Sequence, residues 1–250
     1  DPPLGAALDG APSVSLEQAL TCDVVTVHVP LTARGPHPTQ DLIDRYALAR
    51  MAPDALLINA ARGGVVNEAA LLERLEHEPD FRAALDCWEG EPNIAAALLP
   101  RSWLATPHIA GHTLEARVRA ATDLHAALSA WSGLRPDWPA LLEANTAGTL
   151  ACEPAGVAGI IEAGYDLGAH TARMQDLAGL PAPARGAAFD ALRRRYGLRR
   201  QFASYRVASS GLDADTVREL QALEFDLDGG APTIDKGIEP GAQSSPASRL

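Results

Sequence analysis

Four short apolar runs, each followed by a helix-forming stretch, constrain the fold of this chain most tightly. They are Asp23–Val29 (DVVTVHV), Ala55–Ala60 (ALLINA), Arg82–Cys87 (RAALDC) and Trp103–Thr106 (WLAT). Short continuous apolar runs bounded by turn residues read as strands buried on both faces. The stretches between them read as helices. Ser15 and Gln18 form a capping-box pattern that opens a helix through Leu20. Residues 41–50 carry Leu42, Ile43, Tyr46 and Leu48 on one side, and Asn67 is placed to cap a helix bearing Leu71, Leu72 and Leu75. Thr113 opens a long helix that runs to about Ser132. Strand–helix alternation of this kind predicts an α/β fold, a Rossmann-type doubly wound parallel sheet with helices on both faces.

In such a sheet ligands bind at the carboxyl ends of the strands. Arg62, Asp86, Glu91 and His108 all lie at or just past predicted strand ends, so the strand–helix reading alone sends them to one rim.

The alternation stops in a Pro- and Gly-bearing stretch near 133–160. Beyond it, helices are predicted near 169–178, 186–196 and 214–223, with a strand at 202–208 and a last short strand. We divide the chain into residues 1–133, carrying the sheet, a smaller α+β unit at 150–228, and a disordered tail at 229–250, where Gly, Pro and Ser dominate. The cluster Arg193, Arg194, Arg195, Arg199 and Arg200 is the chain's basic patch. It reads either as a solvated helix face beside a dimer contact or as a phosphate- or nucleic-acid-facing surface.

Composition narrows the function classes. The formal net charge is −11 over 250 residues, which argues against nucleic acid or an anionic membrane as the main partner. A small anionic substrate stays open, because one or two arginines suffice to capture it. There is no apolar run of about 18 residues to span a bilayer. Cys22, Cys87 and Cys152 are odd in number and widely spaced. That pattern points away from disulfides or a zinc cluster and fits a reducing cytoplasm.

Three segments carry a resemblance. Asn59–Val66 (NAARGGVV), Ala84–Pro92 (ALDCWEGEP) and Thr106–Gly111 (TPHIAG) resemble, in order and spacing, the motifs of the D-isomer-specific 2-hydroxyacid dehydrogenases. That resemblance implies NAD as cofactor and names roles. His108 would be the acid–base residue, Glu91 its partner at the far ring nitrogen, and Arg62 the clamp on the substrate carboxylate. Ala60, Ala61 and Arg62 would touch the cofactor, Asp86 would face its carboxamide, and Gly111 and His112 would line the nicotinamide side. Asp1, in Asp1-Pro2-Pro3, would accept from the adenosine ribose hydroxyls. No metal is implied.

Within the family, DCWEGEP, the Gly35-Pro36 loop and the 150–228 unit resemble a branch that oxidises a phosphorylated sugar acid and dimerises through an extra C-terminal domain. That implies a homodimer. His112 departs from the tyrosine usual in that branch. Dehydrogenases of phosphoglycerate or glyoxylate type, and non-enzymatic NAD(H)-sensing scaffolds of the corepressor type, share the fold and motifs and stay open as alternatives. The GxGxxG fingerprint of the family falls outside the sequence, so the chain reads as the C-terminal part of a longer dehydrogenase that alone binds NAD weakly and turns over nothing. The same reading places two further strands between 23–29 and 55–60, holding those two about 14 Å apart, three strand spacings.

Overall fold

The computed structural model describes residues 14–134, 148–150, 156–197 and 199–228. Asp1, Cys152 and the 229–250 tail lie outside the described residues. The chain divides into two compact units. One comprises Asp1–Leu142 with Tyr165–Arg200, and the other Glu143–Gly164 with Gln201–Leu250.

The first unit begins with α1 (Leu16–Ala19), opened by the Ser15–Gln18 capping box. It is followed by β1 (Val24–Val27), α2 (Arg45–Arg50), β2 (Leu56–Asn59), α3 (Glu68–His77), β3 (Arg82–Leu85), β4 (Leu104–Ala105) and α4 (Leu114–Ser132). Asp44, Asn67 and Thr113 cap α2, α3 and α4, each accepting from a backbone N–H three residues on. This side-chain bond satisfies a donor that the first helical turn leaves orphaned. The four strands form one parallel sheet in chain order, β1-β2-β3-β4. Its core includes Leu57, Leu71, Ala83, Leu85, Trp88 and Leu99.

The spacing expected between the first two strands is wrong. Val24 pairs with Leu56, and the ladder continues in register to Val27 and Asn59. No strand lies between them. Consecutive parallel strands joined by one helical crossover settle side by side. An order with two further strands between 23–29 and 55–60 is not what this connection supports. Val24 is 52% exposed, which makes β1 an edge of the described sheet.

The division at 150–228 is also redrawn. Residues Tyr165–Arg200 belong to the first unit, as α6 (Leu167–Asp176) and α7 (Ala182–Arg194). Thr171 of α6 donates its hydroxyl to Leu167 O and accepts from Ala105 N at 3.1 Å. Met174, Leu177 and Phe189 enter the sheet's own core.

The second unit holds β5 (Gly148–Leu150), α5 (Gly156–Gly164), β6 (Tyr205–Val207), α8 (Ala214–Ala222) and β7 (Asp226–Leu227). Its three strands are parallel, in the order β5-β6-β7. Ile160, Val207, Leu220 and Phe225 form its core, with Phe202 stacked on Phe225 at 4.7 Å. The sequence reading missed β5 and α5, because the glycines of GVAGIIEAG lower helix propensity. Ile160 is fully buried there, so tertiary packing overrides the propensity.

Candidate active site

The parallel ladder brings the ends of β2, β3 and β4 to one edge, where three loops meet. The first follows Asn59. The buried Asn59 side chain donates to Arg62 O at 3.1 Å and accepts from Ala61 N at 3.2 Å, closing the turn that displays Arg62. Ala61 is buried, Ala60 half-buried and Arg62 exposed, its Nη1 donating to Ala61 O at 2.6 Å.

The second loop, Asp86–Pro92, continues the ladder: Asp86 N and Cys87 N both donate to Asn59 O. Trp88 is buried, its indole N–H donating to Thr106 O at 2.9 Å and its backbone N–H to Glu91 Oε1 at 2.8 Å. The second bond leaves Oε2 of Glu91 to face the third loop.

That third loop carries His108 at φ 56°, in the left-handed region that costs a non-glycine residue energy unless its surroundings fix it. Asp86 does the fixing. Its carboxylate, 6% exposed, accepts from Thr106 Oγ1 at 2.6 Å, Ile109 N at 2.7 Å and Ala110 N at 3.0 Å. Held this way, His108 places Nδ1 at 2.8 Å from Glu91 Oε2. An ionised carboxylate can only accept, so Nδ1 carries the proton, and in the neutral ring Nε2 presents a lone pair. The pair is half-buried at the rim.

Of the three residues expected to meet, His108 and Glu91 do so, while the Arg62 guanidinium donates to Ala61 O. Cys87 Sγ, a Glu91 oxygen and a His108 nitrogen all lie within 4.8 Å of one another. Burial pushes the Cys87 thiol up to about 12, helped by the charges of Asp86 and Glu91 and opposed by those of Arg62 and Arg193. Arg62 thus stands near enough for its charge to act on the cluster. Gly111 is exposed, with open space where a Cβ would stand. His112 is half-buried, and burial, then Arg117 and Arg193, hold its imidazole below its ordinary value.

Several residues of the site had no sequence assignment. Thr106 and Glu68 act by shaping loops. Glu68 is buried at the start of α3 and accepts from Glu89 N at 2.5 Å. Burial pushes its carboxyl up to about 7, with the Glu89 and Glu91 charges adding to the rise. Arg199 donates to Ala110 O at 2.8 Å and lies over the Tyr165 ring. The signal for Thr106 is its place two residues before His108. Nothing in one sequence marks Arg199, whose contact spans 89 positions.

Residues 5–110 match the NAD-binding domain of the D-isomer specific 2-hydroxyacid dehydrogenases. The chain is 39% identical over 239 residues to the erythronate-4-phosphate dehydrogenase of Pseudomonas aeruginosa, covering 91% of this chain and 62% of that protein. It is 40% identical over 224 residues to that of Marinobacter nauticus, covering 86% and 58%. The chain therefore spans about three fifths of the length of these relatives. Among solved structures, the NAD-dependent formate dehydrogenase of Staphylococcus aureus is 32% identical over half of this chain and 38% of that one, with a TM-score of 0.40.

The residues at the rim fit a nicotinamide cofactor. Ala60, Ala61 and Gly111 are small, and Gly111 borders open space. Among the described residues, no helix is long and apolar enough to cross a membrane.

Proposed function

We propose that the protein oxidises 4-phospho-D-erythronate to its 2-oxo acid, 3-hydroxy-2-oxo-4-phosphooxybutanoate, with NAD, in the synthesis of pyridoxine and pyridoxal 5′-phosphate. The observation that carries this reading is the 2.8 Å His108–Glu91 pair at the carboxyl edge of the sheet. Bound NAD supplies the hydride acceptor, with Ala60, Ala61, Gly111 and His112 as the residues that would line it and Asp1 as the ribose-side acceptor. His108 Nε2 takes the hydroxyl proton as the carbon gives up its hydride. The imidazolium that forms is stabilised by the Glu91 carboxylate, which also holds the ring against rotation. Arg62 clamps the substrate carboxylate through its planar fork, a geometry a lysine does not offer. Asp86 holds the His108 loop in its left-handed turn, its acceptor sites taken by Thr106, Ile109, Ala110 and Cys87 rather than turned to the carboxamide.

The assembly we propose is a cytoplasmic homodimer. The exposed stripe of Leu124, Leu128 and Trp131 on α4 supplies apolar surface for an interface. Cys22 and Cys87 are free thiols, which suits a reducing compartment.

The test uses the full-length protein with NAD and 4-phosphoerythronate, with 3-phosphoglycerate as the competing substrate. His108→Asn is expected to abolish turnover and leave NAD affinity within about threefold. A variant that keeps turning over, or a wild type that prefers 3-phosphoglycerate, would overturn the reading.

A further inference from the structure

The arginine run at the end of α7 divides when placed in the structure. Arg194 pairs with Asp190 at 2.6 Å and is 78% exposed, and Arg195 is exposed. Arg193 is half-buried, and among the described residues its guanidinium makes no hydrogen bond or ion pair. None of its nitrogens is sealed from water, so the group is open to a ligand.

The packing of α7 shows where Arg193 sits. Gly186 lies so close to the Glu91 loop that a Cβ would stand 2.5 Å from Asn93 Oδ1 and 3.4 Å from Pro92 O. Arg185 Nε donates to Ile94 O at 2.8 Å in the same loop. Phe189 follows into the core. Arg193 comes seven residues after Gly186 and four after Phe189, so it continues the stripe that faces this loop. Three residues further on, the Tyr196 ring meets His112 edge-on at 6.4 Å. Arg193 is thus bracketed by the Glu91 loop on one side and the His108–His112 loop on the other. Its charge acts on both Cys87 and His112.

We propose that Arg193 captures the distal phosphate of the substrate and so selects a phosphorylated hydroxy acid over an unphosphorylated one. This rests on the dehydrogenase reading above, and it divides the two anionic ends of one substrate between two arginines. Arg62 follows β2 and takes the carboxylate beside the reacting carbon. Arg193, arriving from α7 on the far side of the Glu91 loop, takes the phosphate. A guanidinium suits this role because it stays charged and meets phosphate oxygens with two parallel N–H donors.

The test compares Arg193→Gln, Arg193→Lys and, as a surface control, Arg194→Gln in the full-length protein. Binding of 4-phosphoerythronate and of erythronate is measured by calorimetry, and turnover of both by NADH absorbance. Wild type is expected to bind the phosphorylated acid more tightly. Arg193→Gln weakens that binding, and raises its KM, roughly 10- to 100-fold. It moves kcat less than about threefold and leaves erythronate and NAD affinity unchanged. Arg193→Lys recovers part of the loss, and Arg194→Gln behaves as wild type. Equal losses for both acids, or no loss for either, would overturn the role of Arg193. A wild type that discriminates between the acids in binding yet turns over neither would instead overturn the dehydrogenase reading while leaving the phosphate contact in place.

Discussion

Gly63 and Trp88 touch backbone to backbone: a Cβ built on Gly63 would stand 1.9 Å from the Trp88 carbonyl oxygen. This contact seats the Glu91 loop on the Arg62 loop and sets the distance between the two functional groups. Backbone cannot swing aside as a flexible side chain would. Gly63→Ala is therefore expected to destabilise the fold by about 1–3 kcal/mol. It should also lower kcat/KM more than any loss of folded protein accounts for. Denaturant titration together with kinetics separates the two effects, and a silent substitution would show that the loops are not braced this way.

Glu68 makes stability depend on pH with an unusual sign. Its carboxyl is raised from the ordinary 4.5 to about 7, so the folded chain keeps a proton that the unfolded chain has already released. The contribution of this group to stability is full below about pH 4.5, falls as pH rises toward 7, and is then constant. Glu68→Gln keeps an acceptor for Glu89 N and removes the titration. The variant should be more stable than wild type above pH 7, by up to about 3 kcal/mol. Melting curves across pH that run parallel for the two proteins would contradict this.

Cys87 and Cys22 should differ in reactivity. Cys22 is exposed and Cys87 buried, with its thiol pushed up to about 12, so the nucleophilic thiolate is scarce. Brief alkylation of the native protein near pH 8, followed by peptide mapping, should label Cys22 and spare Cys87 until denaturant is added. Prompt native labelling of Cys87 would place its sulfur outside the core.

Local pattern carried much of this architecture in the sequence. The Ser15, Asn67 and Thr113 caps, the four strands of the first sheet and the meeting of Glu91 with His108 follow from short-range rules of turn, cap and period. What stayed hidden depends on contacts distant in sequence. The pairing of Val24 with Leu56 is a choice of strand order that the runs themselves do not encode. The docking of α6 and α7 on the sheet unit rests on Thr171 reaching Ala105 and on Phe189 entering the core. Helix α5 forms through burial of Ile160 against its own glycine content. Asp86 illustrates the same limit, since its place after β3 was legible while its grip on Thr106, Ile109 and Ala110 was not.

The central claim is that Glu91 fixes the His108 tautomer so that Nε2 is a free base. A long-range 1H–15N correlation spectrum of His108 in the full-length protein, at about pH 8 where an ordinary imidazole is neutral, tests it directly. A proton on Nδ1 and a bare Nε2, with that preference lost in Glu91→Gln, is the expected result. A proton on Nε2 in the wild type would contradict it, because His108 could not then accept the hydroxyl proton.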